Sequence, residues 1–146
     1  MNEHKNFISI DWGTSNFRMR LVNSKPLLVT KEIENNFGVK NIYQNFLNEN
    51  EKNQKDYFLT FLLHQLKSFY SDYKKNPVVI SGMASSNIGL FKLDYGELPF
   101  SSSAQNCNHK KIECDAIDNL ILISGIKSKN DIMRGEETQA IGFLER

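Results

Sequence analysis

The sequence predicts an α/β domain with a mixed five-stranded sheet flanked by helices. Three features of the chain predict it. The first third alternates apolar and polar residues at the period of half-buried strands, interrupted twice by short turn signals. The middle then changes to helical spacing. Two short, continuous apolar runs follow, as strands buried on both faces show.

Phe7 to Trp12 reads as a short buried strand with Asp11 near its end. Gly13-Thr14-Ser15 is a tight turn. Asn16 to Val22 places Phe17, Met19 and Leu21 on one face and Asn16, Arg18 and Arg20 on the other. Asn23-Ser24-Lys25-Pro26 is a second turn signal, and Leu27 to Ile33 is a third strand. Strands joined by such short turns form an antiparallel meander. Val39 to Leu47 has the pattern of a short helix, and Asn48 to Gln54 is a polar break. Asp56 to Tyr70 carries Phe58, Leu59, Leu62, Leu63, Leu66, Phe69 and Tyr70 at helical spacing, a stripe suited to a core. Pro77 to Ile80 is a fourth strand, followed by a Gly/Ser/Asn loop from Gly82 to Gly89. Tyr95 to Asp115 is polar and shows no assignable period. Asn119 to Ser124 is a fifth strand, and Glu136 to Leu144 begins a final helix. A meander followed by right-handed βαβ crossovers is the layout of the ribonuclease-H-like fold.

Bulk composition narrows the class. A length of 146 residues suits one domain, and 40% apolar residues suffice for a core. The net charge of +1 gives no basis for a nucleic-acid surface or a polybasic membrane patch. No apolar run is long enough to span a bilayer, and the polar start Met1 to Phe7 runs straight into a strand, unlike a signal peptide. Cys107 and Cys114 fit no zinc spacing. A soluble cytoplasmic protein is expected. Arginine is scarce, 4 residues against 14 lysines, and two of the four, Arg18 and Arg134, fall inside the motifs below. Arginine supplies a planar fork that lysine lacks.

The first motif is Ile10-Asp11-Trp12-Gly13-Thr14-Ser15-Asn16-Phe17-Arg18. An acid at the end of a buried strand points its carboxylate at whatever binds there. A hard cation such as Mg²⁺ favours one or two carboxylates together with waters and phosphate oxygens. Gly13 permits close backbone approach. The turn's N–H groups, with the Thr14 and Ser15 hydroxyls, can cradle phosphate oxygens. Arg18 lies on the same side as the turn mouth.

Two further strings are Ser81-Gly82-Met83-Ala84-Ser85-Ser86-Asn87-Ile88-Gly89 and Asp131-Ile132-Met133-Arg134-Gly135-Glu136-Glu137-Thr138-Gln139-Ala140-Ile141-Gly142. The first follows a strand, where α/β sheets form their binding crevice. Its small residues with Ser85, Ser86 and Asn87 suit hydroxyls and a carboxylate, and suit an ordinary polar connection nearly as well. In the second string, Glu136 and Glu137 stand before a helix. They can be partners of the helix dipole, or one can be a general base. Arg134 can pair bidentately with a carboxylate.

The three strings together resemble the 2-dehydro-3-deoxygalactonokinase family of the actin and hexokinase superfamily. The resemblance implies an actin-like ATPase fold and a kinase that uses ATP and Mg²⁺ to phosphorylate 2-dehydro-3-deoxy-D-galactonate at O6. It implies that Asp11 organises the metal and the attack, and that Gly13, Thr14, Ser15, Asn16 and Arg18 hold phosphate. Gly82, Met83, Ser85, Ser86, Asn87 and Arg134 would bind the sugar acid. Glu137, or Glu136, would be the base; the Gly-x-Glu-Glu segment of exopolyphosphatases is similar and matches Glu137 better. Leu90 departs from the family's pattern, which has an aromatic residue there. The family's kinases have two similar domains with ATP between them. Residues 1–146 are thus expected to be the N-terminal domain, without the second, and inactive alone. Ile141, Phe143 and Leu144 would be exposed and favour a homo-dimer. Two other readings stand beside this one: a polyphosphate or nucleotide phosphohydrolase of the same superfamily, and a non-catalytic binding or assembly module.

Overall fold

Alternation fixes the first hairpin. The structure, a computed structural model, describes residues 4–98 and 107–135. In β1 (Asn6–Trp12), Ile8, Ile10 and Trp12 are buried, while Phe7, Ser9 and Asp11 point to the other, half-buried face. In β2 (Phe17–Ser24), Phe17, Met19 and Leu21 are buried on the same side. The two strands pair antiparallel from Asn6 opposite Asn23 to Trp12 opposite Phe17. β3 (Leu27–Asn35) pairs antiparallel with β2, with a bulge between Leu21 and Val22. It forms one edge of the sheet and leaves Leu27, Leu28 and Val29 exposed. Its charged half is held by Arg18–Glu34 and Arg20–Glu32 ion pairs across the β2–β3 ladder.

Two helices then cross over the sheet: α1 (Val39–Asn48) and α2 (Gln54–Phe69). The Asn53 side chain caps α2 by accepting from the Asp56 N–H at 3.1 Å, as asparagine does at this position. The predicted stripe is core: Phe58, Leu59, Leu62, Leu66 and Phe69 are all buried. β4 (Val78–Gly82) returns parallel to β1, and β7 (Leu120–Ile123) lies parallel to β4.

With β6 (His109–Ile112), the main sheet has six strands in the order β3-β2-β1-β4-β7-β6, one more than the five expected. The additional strand, β6, runs antiparallel to β7. It lies within the segment that showed no period, because only Ile112 of its four residues is buried. An edge strand of this kind is specified by its neighbour's open ladder, not by its own pattern. A second, three-stranded sheet is built from β5 (Gly96–Glu97), β8 (Ile126–Lys127) and β9 (Ile132–Met133), with β8 in the middle. The expected helix from Glu136 to Leu144 lies outside the described residues, as do Ile141, Phe143 and Leu144. Among the described residues no helix is long and apolar enough to cross a membrane.

The core joins the helices to the first hairpin through aromatic rings. Trp12 meets Phe17 edge-on at 5.1 Å between centroids and meets Phe58 and Phe61 at 5.4 and 5.6 Å. Edge-to-face and tilted rings at these distances add to the area they bury. Phe58→Ala is expected to lower the unfolding free energy by about 3–5 kcal/mol in urea titration. Leu27→Ser, at a position 74% exposed, is expected to change it by less than about 0.5 kcal/mol. Equal effects of the two substitutions would contradict this assignment of the core.

Candidate active site

The turn after β1 is built by the helix behind it. The Gly13 N–H donates to the Asn16 carbonyl at 2.9 Å and closes the hairpin. The turn's carbonyls face the start of α1. Gly13, Thr14 and Ser15 accept from the N–H groups of Val39, Lys40 and Gly38 at 2.9, 3.1 and 3.2 Å. These donors belong to the first turn of the helix, which lacks partners within the helix itself. α1 has no side-chain cap, so the carbonyls of the turn do the capping. The approach is so close that a Cβ at Gly38 would overlap the Thr14 carbonyl oxygen and stand 2.5 Å from the Ser15 nitrogen. Gly38 therefore has to be glycine for reasons of space, since its φ of −66° suits any residue. Beside it the Trp12 indole N–H donates to the Phe37 carbonyl at 3.1 Å.

With its carbonyls held, the turn offers donors outward. The N–H groups of Thr14 and Ser15 have no acceptor among the described residues, and Thr14, Ser15 and Asn16 are exposed. They open on a pocket of about 180 Å³ lined by Asp11, Gly13, Thr14, Ser15, Asn16, Arg18 and Glu34. All five residues expected to hold phosphate thus line one pocket, with the expected metal-organising acid at its side. Glu34 was not legible in advance; strand register brings it opposite Arg18. The Arg18 Nε and Nη2 both donate to Glu34 Oε2, at 3.1 and 2.9 Å. This hydrogen bonding, with the charge of Glu34 behind it, raises the Arg18 pKa above its ordinary value. A phosphate entering the pocket would share the guanidinium with Glu34.

The second and third motifs meet the first at Asp11. Gly82 ends β4 with a φ of 95°, a conformation that disfavours any side chain. A Cβ there would lie 2.7 Å from the Trp12 carbonyl oxygen and 3.3 Å from Asp11 Oδ1. Gly135 has a φ of 102°, and its Cβ would lie 3.5 Å from Gly82 Cα and 4.0 Å from Asp11 Oδ1. Two bare backbone segments thus close on one carboxylate. Ser85, fully buried, donates to the Gly82 carbonyl at 3.3 Å and accepts from Arg134 Nη1 at 2.7 Å. The Arg134 Nε donates to the Tyr95 hydroxyl at 2.8 Å.

Other expected site residues stand apart from this junction. The buried Ser86 hydroxyl donates to the Met83 carbonyl at 2.7 Å within its own turn. Met83 packs against the core. Asn87 is exposed, and its carbonyl accepts from Gln54 Nε2 at 3.0 Å. Leu90 is buried in the core, so the departure there falls on packing. Glu136 and Glu137 lie outside the described residues. Tyr95, Gly38 and Gly125 were missed, since nothing in their local pattern signals what crosses them.

Among the described residues there is no group of three or more His, Cys, Asp or Glu side chains able to cage a metal. The Asp11 carboxylate beside a pocket of N–H donors fits Mg²⁺ held chiefly through waters and phosphate oxygens, while the other carboxylate lining the pocket, Glu34, is paired with Arg18. A groove of about 960 Å³ between α1 and α2 contains no residue of the three motifs. The residues of the first motif line the smaller, polar pocket instead.

A meander leading into parallel crossovers, with an acid and a donor-lined turn at the mouth of the first hairpin, defines a domain of the actin-like, ribonuclease-H-like class. Comparison narrows this class. The sequence model of the 2-keto-3-deoxy-galactonokinase family matches residues 11–146, and the chain belongs to that family. It is 30% identical over 142 residues to the 2-dehydro-3-deoxygalactonokinase of Escherichia coli K12, covering 93% of this chain and 41% of that protein. It also superposes on the crystal structure of a Sinorhizobium meliloti protein provisionally assigned as a 2-dehydro-3-deoxygalactonokinase. The TM-score is 0.73 at 25% identity, over 95% of this chain and 43% of the other. The chain therefore spans less than half the length of these relatives.

Gly38→Ala is expected to push α1 and the turn apart and to cost about 1–3 kcal/mol of stability. The check is thermal or urea denaturation beside Gly13→Ala, where a Cβ would meet nothing nearer than 3.5 Å. If Gly38→Ala proved the milder of the two, this packing would be wrong.

Proposed function

We propose that this chain is the N-terminal domain of a two-domain kinase that transfers the γ-phosphoryl of ATP to O6 of 2-dehydro-3-deoxy-D-galactonate. The observation that carries the reading is the convergence of three motifs on Asp11. The phosphate turn lines one pocket with it, and Gly82 and Gly135 both approach its Oδ1. Family membership supports the reaction class.

The residues divide the work as follows. The outward N–H groups of the turn, the Thr14 and Ser15 hydroxyls, Asn16 and Arg18 bind and orient phosphate oxygens. Asp11 would hold Mg²⁺, which when bound neutralises charge on the transferring phosphoryl group. Arg134, in reach of Ser85, takes the carboxylate of the sugar acid as a bidentate partner. Glu137, or its neighbour Glu136, accepts the proton of the 6-hydroxyl as O6 attacks the γ-phosphorus and ADP leaves. Catalysis of this kind rests on positioning and charge stabilisation. One wall of a nucleotide cleft leaves ATP hydrated, so a second domain has to close over it. A cytoplasmic setting, where ATP is at hand, goes with this reading.

Calorimetric titration of the 146-residue chain with 2-dehydro-3-deoxy-D-galactonate tests the substrate side. Binding is expected, and Arg134→Ala should weaken it by about ten-fold or more, as loss of a charge-assisted pair does. In a coupled ADP assay the same chain should show no sugar-dependent turnover. No binding, or binding indifferent to Arg134, would contradict the assignment of the substrate. ATP hydrolysis that ignores the sugar would favour a phosphohydrolase.

A further inference from the structure

We propose that Tyr95 and Gly125 are positioning residues that set the guanidinium of Arg134, and that Tyr95 thereby sets the preference of the site for a charged sugar acid over a neutral sugar. The inference rests on the reading of Arg134 as the carboxylate partner.

The small sheet places the three residues on one level. Gly96 of β5 pairs with Ile126 of β8, which pairs on its other side with Met133 of β9. Tyr95, Gly125 and Arg134 lie one residue beyond these partners, at the same end of the sheet. The Gly96 N–H donates to the Gly125 carbonyl at 2.9 Å and ties the first two together. Tyr95 and Arg134 thus lie just beyond the ends of the two outer strands, with Gly125 between them.

Their contact has to pass over Gly125. A Cβ at Gly125 would stand 2.6 Å from Arg134 Cγ and would overlap the Met133 carbonyl oxygen. The absence of a side chain on the middle strand lets the Arg134 stem cross to the far strand. There the guanidinium carbon lies 4.1 Å from the centre of the Tyr95 ring, and Nε donates to the Tyr95 hydroxyl at 2.8 Å. The Nη1 group donates to the buried Ser85 hydroxyl at 2.7 Å. A stack on an aromatic face with two directed hydrogen bonds restricts a side chain of many rotamers. A guanidinium held in advance loses less freedom when it meets a carboxylate. Ser85 is in turn bonded to the Gly82 carbonyl, and Gly82 packs on Asp11, so the carboxylate end and the phosphoryl end of the site share one rigid connection. A neutral sugar gains little from this arrangement, because it has no charge for the fork to meet.

The test is calorimetry on the 146-residue chain with two ligands. One is 2-dehydro-3-deoxy-D-galactonate, and the other is its neutral analogue with a hydroxymethyl group in place of the carboxylate. Tyr95→Leu, which removes ring and hydroxyl, should weaken binding of the acid by about ten-fold, and Tyr95→Phe, which keeps the ring, by about three-fold. Both should leave the neutral analogue within about two-fold of wild type. In an Arg134→Ala background, Tyr95→Leu should have no further effect on the acid, the signature of two residues acting as one unit. If Tyr95→Leu fails to fold, Tyr95→Phe and its double variant with Arg134→Ala carry the test. Losses that are equal for both ligands, or that add to those of Arg134→Ala, would overturn the inference. If Arg134→Ala weakens the acid while the Tyr95 variants bind as wild type does, the inference alone falls. If Arg134→Ala changes nothing, or the acid does not bind at all, the reading of Arg134 falls and the inference with it.

Discussion

The site depends on one close approach, the N-terminus of α1 against the back of the Gly13–Ser15 turn. The first amides of a helix need acceptors, and here the turn supplies three carbonyls in place of a capping side chain. Each peptide is planar, so holding its carbonyl toward the helix directs its N–H the other way. The outward N–H groups are thus a consequence of how the helix is capped. The positive end of the helix dipole also lies behind the turn, where it would favour an anion. All of this requires the space that only glycine leaves at position 38.

Core packing and site geometry are continuous through Trp12. Its ring is fixed among Phe17, Phe58 and Phe61, and its N–H holds the Phe37 carbonyl next to Gly38. The same residue's carbonyl oxygen lies against Gly82 on the neighbouring strand. A shift of this indole would move the helix start, the turn and the second loop together. Asp11, one residue earlier on the opposite face of β1, inherits its position from that packing. The family relationship fits this arrangement, because the matched region begins at Asp11 and runs through all three motifs.

The parts of this structure written as local patterns were legible in the sequence. The β1–β2 alternation, the α2 stripe and the apolar runs of β4 and β7 each specify a buried face by their own spacing. That the turn residues and Asp11 share one pocket was legible because they are close in the chain. The rest depends on partners distant in the chain. β6 exposes three of its four residues and exists because β7 offers a free edge. The strands of the small sheet have two residues each, too few to show a period. Glu34 reaches Arg18 by register, and Gly38, Gly125 and Tyr95 matter because of what crosses them. Ser86 and Asn87 looked like ligand donors by type. A tight turn directs the hydroxyl of Ser86 inward, and the Gln54 side chain holds the Asn87 carbonyl.

The claim that helix capping directs the turn's N–H groups toward an anion can be measured amide by amide. In ¹H–¹⁵N spectra of this chain, addition of Mg²⁺-ATP should shift the Thr14 and Ser15 amides. The Val39 and Lys40 amides, bonded to the turn's carbonyls, should stay protected from hydrogen exchange with and without ligand. Unshifted Thr14 and Ser15 amides, or Val39 and Lys40 amides that exchange as freely as exposed ones, would contradict the account.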